Sequence, residues 1–210
     1  MRDHRIVAVG STADIEALAG PGTERIDLGG RTVTPGLLDA HAHFSGSGAD
    51  RLFVADLSYP NVKSIVDVQR IVVERAGQGD GWIEGRGWDE GKLLERRLIT
   101  SRDLDQVVAD RPVWLTQTMG HYGVANSAAL RLAGVTRDTK DPDGGTIDRY
   151  PDGSPTGVLK ESAQRLVGRL IPEPTPAQVE EGMKALAQAF NAEGMTGAED
   201  PGMSELTITA

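Results

Sequence analysis

Segments with helical periodicity alternate with short β-branched runs along most of this chain, and that alternation limits the possible folds more than any other feature. The spacing predicts a helix over residues 62–76, where Ile65, Val68, Val72 and Ala76 share one face with charged residues between them. Residues 82–84 read as a short strand, and GRGWDE after them as a glycine-rich loop. Thr100 with Asp103 resembles a capping box for a short helix ending near Asp110, ahead of a strand in PVWLTQT at 112–118. The run TIDRYPDGSPTGVLK reads as a hairpin, because Pro151-Asp152-Gly153 is a turn between β-rich flanks. The strongest helix signal comes later: Thr175 caps, Pro176 takes the first turn and Gln178 completes the box. Val179, Met183, Leu186 and Phe190 then follow at helical spacing until Gly194. MTGAED continues as a strand ending in an acidic loop. An α/β architecture with parallel strands is the expectation.

The first thirty-odd residues differ from the rest. RIVAV at 5–9 has the density of a strand, Ser11 or Thr12 can cap a short helix over 14–19, and GPG at 20–22 ends it. ERIDL and RTVT read as two further strands joined by Gly29-Gly30. This stretch forms a small β-rich unit in that reading.

The chain has no cysteine, so a thiolate zinc site and a cysteine nucleophile are excluded, and any metal must be held by nitrogen and oxygen donors. Acidic residues outnumber basic ones 31 to 22, for a formal charge of -9, and no basic run is interleaved with aromatics. Nucleic acid is therefore not an expected partner. No segment has the length of apolar residues that crosses a bilayer and the first residues lack a signal-peptide pattern, so a cytoplasmic protein with no membrane association is expected.

Within that frame, TPGLLDAHAHF at 34–44 carries the chemistry. Side chains alternate along a strand, so Asp39, His41 and His43 would share one face, and two imidazoles at i and i+2 of a strand end can converge on one ion. A bare His-x-His also arises when two of the chain's four histidines fall close together by chance. The flanking sequence bears on that choice. RIVAVGS, IDLGGRTVTPGLLDAHAHF, GWIEGRGWDE, RPVWLTQTMGHYGVANSAAL, DGSPTGVLKESA and EGMTGAEDPG together resemble the amidohydrolase superfamily, in its amidohydrolase 3 branch, over nearly the whole chain.

The resemblance implies a partial TIM barrel with part of a small amino-terminal β-sandwich. Residues 1–33 would be the sandwich segment, and 34–210 the first part of the barrel with a large insertion over about 44–160. It implies that His41 and His43 are metal ligands at the carboxyl end of the first barrel strand, where barrel enzymes place their chemistry. The implied cofactor is a divalent metal, zinc by expectation, with one or two ions in the complete enzyme. The implied reaction is hydrolysis of a carbon–nitrogen bond in a small amide-type substrate by metal-activated water.

Two histidines do not complete such a site. Lys160 in GVLKE resembles the lysine that some members carry as a metal-bridging carbamate; the alternatives are an ordinary surface lysine beside Glu161, or Glu161 itself as the ligand. Carbamate formation needs a neutral amine, which burial and nearby cations favour. His121 in GHYGVANSAAL resembles a substrate-facing position, where an imidazole can donate a hydrogen bond to developing charge. A histidine that only closes a loop is the competing account. Trp88 and Asp89 are pocket-lining candidates against a plain packing role.

A complete barrel takes about 250 residues, more than the 210 present, and none of the four histidines lies beyond position 121. The chain is therefore expected to be the amino-terminal part of a larger enzyme, inactive as it stands, with self-association through unpaired strand edges. The alternative is a noncatalytic binding or assembly protein that retains part of the fold.

Overall fold

The computed structural model describes residues 1–203. The chain divides into two compact units, the first Met1–Pro35 and the second starting at Gly36, a boundary two residues later than the expected one. In the first unit, Ser11 and Asp14 form a reciprocal capping box on α1 (Thr12–Glu16), which stops three residues before the expected Ala19 and buries none of its residues. The strands expected at RIVAV, ERIDL and RTVT do not form; the described pairing is a bridge between Arg2 and Arg5. A strand is completed by its neighbour, and these runs find none within the unit. Ile6, Val7, Val9, Ile26 and Val33 accordingly stay 63% to 89% exposed.

The second unit opens with β1 (Leu37–Asp39) and α2 (Phe44–Phe53), a helix that the sequence reading did not anticipate. The chain then builds a six-stranded sheet from β2 (Ala55–Asp56), β3 (Ile83–Trp88), β4 (Val113–Gln117), β5 (Tyr122–Ala125), β6 (Gly145–Arg149) and β7 (Pro155–Glu161), in the order β2-β3-β4-β5-β7-β6. It returns through α7 (Pro176–Ala192) into β8 (Met195–Ala198), which pairs in parallel with β1.

In the larger sheet β2, β3 and β4 run parallel. Their crossovers carry α3 (Ile65–Ala76), capped by Ser64, and α4 (Ser101–Asp105), whose Thr100–Asp103 box forms as expected. The β4–β5, β5–β7 and β6–β7 pairs are antiparallel, so the expectation of parallel strands holds for half the sheet only. The hairpin around Pro151-Asp152-Gly153 is present as β6 and β7.

Both faces of this sheet are covered. Leu115, Val124 and Val158 pack with Val68, Val72 and Leu104 on one side. Trp114, Ile147 and Leu159 pack on the other with α5 (Ser127–Ala133) and α6 (Arg165–Gly168) through Leu130 and Val167. Neighbours in one strand thus serve opposite cores, which is why these runs read as continuously apolar.

GRGWDE is a correction. Its first four residues are the last four of the six in β3, not a loop. A Cβ on Gly85 would lie 2.7 Å from Leu57 and 2.9 Å from Leu115, so the glycine is there for close packing in a strand. A similar approach joins α2 and α7, where a Cβ on Gly182 would lie 2.3 Å from the carbonyl carbon of Gly48.

Candidate functional site at the end of the first parallel strand

Strand β1 ends at Asp39, two residues before the first histidine. Asp39 Oδ1 accepts the His41 backbone N–H at 3.0 Å, and this local bond turns the chain out of the strand. The shared strand face expected for Asp39, His41 and His43 is therefore not how the histidines meet. They meet across the turn, with ring centroids 5.3 Å apart and planes at 88°. Both rings are exposed, while Ala42 between them is buried. The segment leaving β8 fixes the turn from the other side: Glu199 N–H donates to Asp39 O at 2.8 Å, and Ala42 N–H to Glu199 O at 2.9 Å.

Asp200 completes the arrangement. Its Oδ2 accepts the Ser45 N–H at 2.8 Å and the Ser45 hydroxyl at 2.7 Å, and its Oδ1 accepts the Gly202 N–H at 3.0 Å. These donors, aided by the nearby His43, pull its carboxyl down to about 2, so it stays ionised through the neutral range. A cleft of about 310 Å³ opens beside it, lined by Phe44, Met183, Phe190, Met195 and Met203 among others.

Lys160, His121 and Glu161 stand on the six-stranded sheet instead. Lys160 on β7 faces Tyr122 and Thr146 in the ladder, and its Nζ lies 2.8 Å from Asp148 Oδ2. Glu161 points the other way and leaves the strand at φ 50°, ψ -125°, a conformation that costs a non-glycine residue about 1–3 kcal/mol and gathers at functional positions. Its Oε1 is 3.0 Å from Nδ1 of His121, and its N–H donates to His121 O at 2.8 Å. His121 follows Gly120, which turns the β4–β5 connection at φ 74°. Trp88 is fully buried, with Nε1 donating to Leu115 O at 3.4 Å, so packing accounts for it. Asp89 accepts the Gly91 N–H at 2.8 Å and shapes its loop.

Sequence reasoning missed the contact between Tyr122 and Glu90, where the phenol donates at 2.5 Å. Burial, that bond and the Glu90 charge drive the Tyr122 hydroxyl well above the usual phenol range. Sequence reasoning placed Asp200 at the end of a predicted strand but gave it no site role, because its partner Ser45 lies 155 positions away in the sequence. A separate cleft of about 700 Å³ between α2, α3, the start of β3 and residues 171–174 contains none of the predicted site residues. Burial raises the Glu84 carboxyl there, and the charge of Glu173 adds to it.

Among the described residues no three His, Asp or Glu side chains converge to hold a metal. The donors at the turn still suit a divalent cation in kind, since two neutral imidazoles side by side at a strand end are typical first-row metal ligands. They would supply only part of a coordination set.

An α/β chain with a histidine pair beyond a parallel strand is compatible with many folds and activities, and comparison narrows them. The Amidohydrolase family model matches residues 24–208, and the chain belongs to that family, in its amidohydrolase 3 branch. It is 35% identical over 189 residues to YtcJ of Bacillus subtilis, covering 90% of this chain and 36% of that protein. It is 35% identical over 168 residues to the N-substituted formamide deformylase of Arthrobacter pascens, covering 78% of this chain and 30% of that one. A crystal structure of an uncharacterized metal-dependent hydrolase from Pyrococcus furiosus superposes with a TM-score of 0.63 at 26% identity, over 100% of this chain and 41% of that one. The chain spans about a third of the length of the curated relatives it matches.

Proposed function

We propose that this chain is the amino-terminal part of a metal-dependent hydrolase that cleaves carbon–nitrogen bonds in small amide-type substrates, with His41 and His43 as two of its metal ligands. The observation that carries the reading is the histidine pair, 5.3 Å apart on a turn tied to the exit of β8. A divalent metal, zinc in this reading, lowers the pKa of a bound water and polarises a carbonyl. The residues present would hold and orient: His41 and His43 offer ring nitrogens, and Asp39 and Glu199 keep the turn that presents them.

For a further ligand, Lys160 as a carbamate is one candidate, but its Nζ is engaged by Asp148 and that contact must break first. Glu161 is favoured by its strained backbone and by His121 at its carboxylate. His121 would then contact substrate or developing charge through its remaining ring nitrogen. In the same reading β1–α2 and α7–β8 are successive pieces of a barrel, the six-stranded sheet is inserted between them, and residues 1–33 are a piece of a β-sandwich. The relative named as a deformylase of N-substituted formamides supports an amide-like bond as the one cleaved.

The test is elemental analysis after zinc loading and dialysis, on the wild-type chain and on the doubly substituted His41→Ala/His43→Ala chain. Zinc retained by the wild type and lost from the variant is expected. Equal zinc in both would sink the ligand assignment.

A further inference from the structure

A helix begins with backbone N–H groups that lack partners, and the residue before the first turn usually supplies the acceptor from its own side chain. His43 occupies that position on α2 and makes no side-chain capping bond. The acceptor comes from 155 residues further along the chain, where Asp200 takes both the N–H and the hydroxyl of Ser45, two residues after His43. Ser45 is buried and Asp200 half-buried, so these bonds are partly shielded from competing water. Asp200 is in turn fixed by the Gly202 N–H, and the residue before it by the Glu199–Asp39 and Ala42–Glu199 backbone bonds. Capping is thus done across the fold, and the His43 imidazole is left free to face His41.

We propose that Asp200 is a positioning residue: by capping α2 through Ser45 it releases the His43 ring from capping and sets its orientation beside His41. The purpose of that orientation rests on the metal-ligand reading above, whereas the orientation itself can be measured without metal. An acidic residue beside a histidine can also act by charge alone. Ser45 separates the two accounts, because replacing it leaves the Asp200 charge in place and removes one of the bonds.

The experiment is solution NMR of the metal-free chain, reading the cross-relaxation between the His41 and His43 ring protons in the wild type, Asp200→Ala and Ser45→Ala. A clear ring-to-ring signal in the wild type, lost in Asp200→Ala and reduced in Ser45→Ala, is expected. An unchanged signal in a folded Asp200→Ala chain overturns the proposal, since a purely structural role would lower the melting temperature and leave the ring geometry alone. Should Asp200→Ala not fold, Ser45→Ala decides by the same criterion, and an unchanged signal there counts against positioning. Zinc titration by calorimetry is the second arm. Loss of a supporting outer contact weakens metal affinity about 10- to 100-fold, and that drop is expected for Asp200→Ala. Equal affinity in both chains would also overturn the proposal. A wild-type chain that takes up no zinc would refute the ligand reading, leaving the ring signal to judge the positioning.

Discussion

Asn126 shows how much one buried amide can hold. Its Oδ1 accepts from the backbone of Val113 and Ala129, its Nδ2 donates to Val108 O and Arg111 O, and none of it is exposed. It caps α5 and ties that helix to the start of β4. Asn126→Ala strands several buried backbone groups, each at about 1–3 kcal/mol, so a loss of at least about 2 kcal/mol is expected in urea unfolding. A loss under about 0.5 kcal/mol would show that these bonds are replaceable. Asp103 makes a pH-dependent contribution. Burial pushes its carboxyl up, but the Arg97 guanidinium and the Thr100 N–H and hydroxyl outweigh that and hold it below the usual range. A depressed folded value means the stabilisation is complete above the unfolded value of about 3.9 and disappears as pH falls through the folded one. Melting temperatures of Asp103→Asn should therefore lie below the wild type at pH 7 and converge with it in strong acid; a constant gap across that range would refute the linkage. The Thr100–Asp103 spacing was visible in the sequence. The Arg97 partner was not, because nothing in the local pattern says which cation folds back.

Helix α3 was legible from its apolar spacing, although it starts at Ile65 behind a Ser64 cap rather than at residue 62, and α7 from both its cap and its spacing, all local signals. α7 begins with the Thr175–Gln178 box and Pro176, as the sequence implies. Strand β5 was not legible: YGVA is short, and its identity as a strand depends on being flanked by β4 and β7. GRGW was misread as a loop for a related reason, since the glycine that looks like a turn is needed where Leu57 and Leu115 close in. The α2–α7 crossing obeys the same rule. With Gly48 and Gly182 backbone to backbone, Gly182→Val has no room, and overpacking of this kind costs about 1–3 kcal/mol or more. A urea midpoint unchanged from the wild type would mean that the helices can part freely. The histidine turn sits directly before α2, so the same variant should also broaden the His43 ring signals.

The sheet formed by β1 and β8 has two strands among those described, and Leu37 and Leu38 on β1 are 52% and 76% exposed. Unpaired edges and exposed leucines invite association, so light scattering should show a mass that rises with concentration; a constant monomer mass would oppose this. With two imidazoles and no third converging carboxylate or imidazole among the described residues, the purified chain plus zinc should show little or no turnover on a panel of amides. Robust zinc-dependent hydrolysis would overturn the view that the ligand set is partial. Helix caps, the alternation of helix and strand, and the presence of a histidine pair could all be read from the 210 residues, because each depends on neighbours within a few positions. The assembly of Asp39, Glu199 and Asp200 around that pair could not, nor could the opposite facing of Lys160 and Glu161 or the failure of three apolar runs to pair. Those depend on which distant backbone arrives alongside, and hydrogen bonds between residues 155 positions apart leave no periodic trace in a sequence.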